Sequence, residues 1–214
     1  MKISYAIPVC NEHVELEKLL DFLHKHIDRE DEIVVQCDKG NTTPEVYQVL
    51  DIFSQKHPDL AYTEHIHIIE FPLKGHFSNF KNNLKEHCTG DWIFQIDADE
   101  LPHESLIQNL KPLLQTNPTT EMIMVPRVNT VKGLTQEHIN KWRWNVNKEG
   151  WVNWPDYQTR IIQNSQKIKW QNKVHEQIVG ASTSGPLPME EEWCLYHPKN
   201  IGKQEAQNNF YDSL

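Results

Sequence analysis

No apolar run in this 214-residue chain approaches the roughly 20 residues that a membrane-spanning helix requires. The opening Met1-Lys2-Ile3-Ser4-Tyr5-Ala6-Ile7-Pro8 has too short an apolar core for a secretory signal, so cytoplasmic synthesis and residence are expected. Cysteine is sparse. Cys10, Cys37, Cys88 and Cys194 form no CxxC pair, which argues against a zinc knuckle or a disulfide framework and for buried free thiols. No lysine-arginine cluster offsets the net charge of −9, so a nucleic-acid backbone is a poor partner. A phosphate bound here must be held locally, by a few cations or a metal. Internal repeats and low-complexity tails are absent too, and 38% hydrophobic with 24% charged residues is a globular balance.

What is present centres on Gly90-Asp91-Trp92-Ile93-Phe94-Gln95-Ile96-Asp97-Ala98-Asp99-Glu100. Trp92 to Ile96 is bulky and too short for a helix, and reads as a buried strand of a parallel sheet. Three carboxylates follow at its C-terminal end, the edge where open α/β sheets bind ligands. Such a cluster repels itself unless protons or a hard divalent cation offset the charge. An isolated Asp-x-Asp serves equally well as an acidic turn before a helix, so the rest of the chain decides.

Ile3 to Val9 is an apolar strand, and Asn11 is the expected N-cap of a helix with Leu16, Leu19, Leu20, Leu23 and Ile27 on one face. Ile33 to Cys37 is a second strand, closed by Asp38-Lys39-Gly40-Asn41. Thr43 and Pro44 open a helix with Val46, Val49, Leu50 and Phe53 inward. His65 to Phe71 is a third strand, and Phe77, Phe80 and Leu84 mark a third helix before the Trp92 strand. Four strands alternating with three helices predict an α/β, Rossmann-like, mostly parallel sheet flanked by helices. Neither GxGxxG nor a P-loop follows the first strand, so a nucleotide would be held in another manner. Beyond Glu100 the sequence predicts a helix from about His103 to Leu114 and a strand from Met122 to Pro126. An irregular stretch, Arg127 to Trp154, carries Trp142, Trp144, Trp151 and Trp154, either as core filler or as a platform for sugar rings. Strands at Tyr157–Gln163, Val174–Val179 and Trp193–Tyr196, a mobile loop from Ala181 to Pro188 and a helix from Asn200 complete the reading.

The motifs Ile7-Pro8-Val9-Cys10-Asn11-Glu12, Phe80-Lys81-Asn82-Asn83-Leu84, Thr89-Gly90-Asp91-Trp92, Asp97-Ala98-Asp99-Glu100, Trp154-Pro155-Asp156-Tyr157-Gln158-Thr159-Arg160 and Val174-His175-Glu176, with the Asp38 turn, together resemble the family 2 glycosyltransferases of GT-A fold. The similarity runs to about His197 and is strongest to small bacterial and viral enzymes of surface-glycan or lipopolysaccharide type. Asp38-Lys39-Gly40-Asn41 departs from the serine- and glycine-rich turn common in that family. The resemblance implies metal-dependent, inverting transfer of a sugar from a nucleotide diphosphate to an acceptor hydroxyl. UDP is the expected carrier, with GDP and dTDP as alternatives, and a glycan or lipid-linked saccharide the expected acceptor, with peripheral membrane association compatible. It also implies a donor half at 1–100 and an acceptor-binding, catalytic half with a smaller β region at 101–214, in one domain that is compatible with being the N-terminal part of a longer protein.

By the same resemblance, Pro8, Val9, Asn11 and Glu12 wall the nucleoside, and Asp38 accepts from base or ribose. Lys81 lies near the phosphates, and Asp97, Ala98 and Asp99 form the donor turn. Asp99 is the first metal ligand, with Asp97 and a late histidine, His197, beside it, and Mn²⁺ or Mg²⁺ suits such ligands. Lys199 and Lys203 are candidates to close over the diphosphate. An acceptor hydroxyl must lose its proton as it attacks. Asp156 is favoured as that base and Glu176 as a sugar-holding residue, with the reverse assignment as the alternative. Competing classes are a non-catalytic glycan-binding module, a sugar nucleotidyltransferase and a dehalogenase-type phosphatase. The last two expect, respectively, a glycine- and arginine-rich loop after the first strand and a DxD pair at that same place, and this chain has neither.

Overall fold

A computed structural model describes residues 1–57 and 65–212, with the side chains of its last helix described up to residue 206. β1 (Ile3–Val9), β2 (Glu32–Asp38), β3 (Ile66–Phe71) and β4 (Trp92–Gln95) alternate with helices α1 (His13–His26), α2 (Pro44–Lys56) and α3 (Phe77–Glu86). All four strands run parallel in the order β4-β1-β2-β3. After them come β5 (Leu101–Pro102), α4 (Glu104–Thr116), β6 (Met122–Val125), β7 (Arg127–Lys132), α5 (Gln136–Trp142), β8 (Gln158–Gln163), β9 (Lys169–Gln171), β10 (Gln177–Val179), β11 (Ser184–Pro186), β12 (Leu195–Asn200) and α6 (Ile201–Asp212). β8 pairs antiparallel with both β4 and β6, extending the sheet to seven strands in the order β11-β6-β8-β4-β1-β2-β3. The main sheet therefore passes without a break from the residues before Glu100 to those after it.

Strand alternation feeds two cores. Ile3, Tyr5, Ile7 and Val9 of β1 face one side, with Leu16, Leu19, Leu20 and Leu23 of α1, Val46 and Phe53 of α2 and Leu110 of α4. Ala6, Val34, Ile93 and Ile162 face the other, under Leu84 of α3. All four α1 leucines are fully buried, and truncating one to alanine should cost about 2–5 kcal/mol. The turn into β4 needs a glycine because a Cβ on Gly90 would sit 2.7 Å from the Ser4 backbone nitrogen and 2.9 Å from the Lys2 carbonyl. At that same bottom edge Glu32 is buried and fully engaged, accepting from Ser4 Oγ at 2.6 Å, Thr89 N at 2.6 Å, Thr89 Oγ1 at 2.7 Å and Lys2 Nζ at 2.5 Å.

A second, three-stranded sheet in the order β5-β12-β7 holds Arg127 and Asn129 on β7 and His197 on β12. In this half the elements depart from the sequence expectation. The stretch from Arg127 contains β7, parallel to β12, and α5, whose N-cap Thr135 and His138 form a capping box. The strand expected at Val174–Val179 shrinks to Gln177–Val179, because Asn172 (φ 79°) and His175 (φ 52°) bend the backbone into the left-handed region and leave Glu176 in a turn. The strand expected at Trp193–Tyr196 begins later, at Leu195, after a 3₁₀ turn at Glu191–Trp193. The loop from Ala181 to Pro188 contains β11, which pairs with β6. Glu12 rather than Asn11 stands at the start of α1, and its Oε2 accepts from the Cys10 and Asn11 N–H groups. The C-terminal helix is α6; residues 213 and 214 lie outside the described ones.

Candidate active site

A cleft of about 680 Å³ opens at the C-terminal ends of β1, β2 and β4. Pro8, Val9, Glu12, Asp38, Lys81, Asp97, Ala98, Asp99, Glu176, His197 and Lys199 all line it. Asn11, Asp156 and Lys203 do not line it. Lys203 is instead paired with Glu15 at 2.7 Å, which ties α6 to α1.

The strand ends set the floor. Asp38 closes β2, where its Oδ1 accepts the Leu73 N–H at 2.8 Å and its Oδ2 accepts from Asn41 at 3.0 Å. Both oxygens brace the flanking loops. Asp97 follows β4, accepts from Arg160 on β8 and takes a longer bond from Gln95 at 3.3 Å. Burial alone would raise the Asp97 carboxyl, but the charges of Arg160, Lys81 and Arg127 outweigh it and hold the group well below the usual carboxylate range. Arg160 also donates to Glu100 Oε1 at 2.6 Å, and Arg127 donates to that same oxygen at 3.0 Å. Arg127 then grips Asp156 Oδ2 through Nε at 2.9 Å and Nη2 at 2.6 Å. Two arginines thus run through three carboxylates, from Asp97 by way of Glu100 to Asp156.

Asp156 is engaged at both oxygens. Besides Arg127, its Oδ2 accepts from Asn129 at 2.9 Å, and its Oδ1 accepts from Gln158 at 2.8 Å. Burial pushes its carboxyl up, and the Arg127 charge with these bonds brings it below its ordinary value. Glu176 differs, because it lies in the cleft and its Oε1 accepts from Lys81 Nζ, which also stands 4.5 Å above the Trp170 ring. That contact engages one of the two carboxylate oxygens.

Asp99 faces the late histidine, with its Oδ2 3.3 Å from His197 Nε2. Both side chains line the cleft, and His197 is 7% exposed. Burial would raise the Asp99 carboxyl, and the imidazole against it lowers it. Among the described residues no three His, Cys, Asp or Glu side chains form a closed metal cage. Two donors, one carboxylate oxygen and one imidazole nitrogen, are nonetheless what a divalent cation needs when phosphate oxygens complete its shell. Four carboxylates, Asp97, Asp99, Glu100 and Asp156, face only two guanidiniums, Arg127 and Arg160, which leaves two negative charges over. Lys199, its ammonium made less basic by burial, lines the same side and offsets one of them. The donor set and the local charge both fit a bound divalent cation.

The far wall is aromatic. Trp144 lines the cleft and packs on Trp142 at 4.6 Å between ring centroids, and Trp142 stacks on His138 at 5.2 Å. Trp151 and Trp154 form a separate edge-on pair at 4.9 Å. Only Trp144 of the four reaches the cleft. Arg127, Asn129 and Arg160 are site residues beyond those the sequence singles out. For Arg127 and Asn129 the signal is the Arg-x-Asn alternation of β7, which points both side chains to one face.

The family model described as Glycosyl transferase family 2 matches residues 4–179. No curated protein sequence matches the chain. Among solved structures, TarS of S. aureus superposes with a TM-score of 0.60 at 14% identity, covering 92% of this chain and 37% of that one. TarS 1-349 in complex with UDP-GlcNAc gives 0.58 at 14% identity, covering 93% and 59%. The mannosyltransferase PcManGT of Pyrobaculum calidifontis, in complex with GDP-Man and Mn²⁺, gives 0.48 at 23% identity, covering 58% and 35%. This chain spans little more than a third of the length of PcManGT and of full TarS.

Proposed function

The chain belongs to glycosyl transferase family 2, and on that premise we propose that it is a metal-dependent, inverting GT-A glycosyltransferase that moves a sugar from a nucleotide diphosphate to a saccharide hydroxyl. One observation supports this most. A single cleft places the Asp99–His197 pair, the β1 and β2 loop ends and the carboxylate of Glu176 around one space large enough for a nucleotide sugar. UDP is the proposed carrier, as in the S. aureus protein of the same fold. Residues 1–100 form the donor half and 101–214 the acceptor half of one domain.

In this reading Pro8, Val9 and Asp38 wall the nucleoside, and Asp99 and His197 hold the cation, Mn²⁺ in preference to Mg²⁺ because of the imidazole. Bound there, the cation would neutralise charge on the diphosphate. Asp97 is kept ionised and fixed by Arg160, where it can accept from the donor. The base is Glu176, which faces the cleft, in preference to Asp156, which does not line it and has both oxygens engaged by Arg127, Asn129 and Gln158. Glu176 takes the acceptor proton, and Lys81 orients the carboxylate through Oε1. Trp144 offers an apolar face to the acceptor ring.

A thermal-shift panel of UDP, GDP and dTDP with and without Mn²⁺ tests the assignment. A nucleotide at 100 times its Kd should stabilise the fold by about 2.7 kcal/mol, and EDTA or Asp99→Ala should remove most of that gain. If no nucleotide diphosphate raises the melting temperature under any metal condition, the donor-site reading fails.

A further inference from the structure

We infer that Asn129, held by Asp156, keeps a hydrogen on His197 Nδ1, so that Nε2 is the nitrogen presented to Asp99 and the proposed cation. The inference rests on the metal-site reading above but concerns residues that reading left without a task.

β7 and β12 pair in parallel with Asn129 directly opposite His197. Asn129 Oδ1 lies 2.7 Å from His197 Nδ1. An amide oxygen only accepts, so Nδ1 must carry the hydrogen. That conclusion depends on which end of the amide faces the ring, and Asp156 settles it. Asn129 Nδ2 lies 2.9 Å from Asp156 Oδ2, and a carboxylate can only accept, so the NH₂ end is turned to Asp156 and the oxygen to the imidazole. Asp156 is in turn kept ionised by two bonds from Arg127, and its carbonyl accepts the Arg127 N–H at 3.1 Å. The relay therefore runs Arg127, Asp156, Asn129, His197, with every donor and acceptor matched as far as His197 Nδ1. A neutral imidazole with its hydrogen on Nδ1 has its only lone pair on Nε2, the atom 3.3 Å from Asp99. Without the relay, the opposite tautomer would place an N–H against the Asp99 carboxylate and could not ligate a metal. Asn129 and Asp156 are thus positioning residues.

The test reads the tautomer directly, without catalysis. Long-range ¹H–¹⁵N spectra of the metal-free protein distinguish the two neutral forms and the imidazolium, and the His197 signal among the twelve histidines is the one missing from His197→Gln. The wild-type ring should carry its hydrogen on Nδ1. Asn129→Leu should lose the Nδ1 hydrogen, leaving one on Nε2, and weaken Mn²⁺ binding, followed by EPR titration with the metal alone, about 10- to 100-fold. A wild-type ring without a hydrogen on Nδ1 overturns the inference with no variant needed. So does an Asn129→Leu protein that folds and keeps both the tautomer and the Mn²⁺ affinity. Failure of UDP to bind a protein with the stated tautomer would sink the donor assignment and leave the relay standing.

Discussion

Arg160 Nη2 lies 2.6 Å from Glu100 Oε1, and the two side chains are 4% and 0% exposed. Sixty residues apart in sequence, they tie the carboxylate turn after β4 to the middle of β8. Arg127 reaches the same oxygen at 3.0 Å, so one carboxylate serves two guanidiniums.

Removing the Glu100 charge should therefore be severe. Glu100→Gln keeps the shape but leaves two arginines facing a neutral amide, and breaking a buried pair of this kind costs about 3–5 kcal/mol. Urea unfolding followed by circular dichroism should show a loss of that size. A loss below about 1 kcal/mol would mean that the arginines find other partners or water at little cost.

Acid stability should depend on Glu32, at the opposite edge of the sheet. Burial would raise its carboxyl, but bonds from Lys2, Ser4 and Thr89 bring it down to about 2. A folded-state value below the unfolded one, about 4.3, stabilises the protein at higher pH, and that contribution fades as pH falls from about 4.3 through 2. Glu32→Gln should flatten the stability profile across that window, a slope worth on the order of 3 kcal/mol in the native protein. An unchanged acid slope in the variant would assign the acid sensitivity to other carboxylates.

The assignment of the base separates two variants. Glu176→Gln should lower kcat by about a hundred- to ten-thousandfold, the range for loss of a general base, with nucleotide binding by calorimetry nearly unchanged. Asp156→Asn should act chiefly through the metal, lowering Mn²⁺ affinity and recovering much of its rate at saturating Mn²⁺. The reverse pattern would return the base to Asp156.

The parallel half of the fold was legible because each strand is a short apolar run and each helix keeps its leucines or aromatics on one face. β7 was not. Arg127-Val128-Asn129-Thr130 alternates weakly, and its partner β12 lies more than sixty residues later, so its pairing is a tertiary fact with no local signature. The same holds inside the site. The sequence marked which carboxylates were present, and Asp99, Glu176 and His197 do gather on one cleft. It could not mark which of them arginines had already claimed, because the claim on Asp156 comes from Arg127, 29 residues upstream, and that on Asp97 from Arg160, 63 residues downstream. Glu176 looked like a strand residue until the left-handed turns at Asn172 and His175 took it off the ladder.

β12 threads between β5 and β7, carrying His197 into position beside Asp99. On a translating ribosome the first hundred residues can emerge, with the aspartate turn among them, long before its imidazole partner exists. The cleft is finished only when the segment around residue 200 leaves the exit tunnel, so a nascent chain stalled earlier would carry the carboxylates without the histidine.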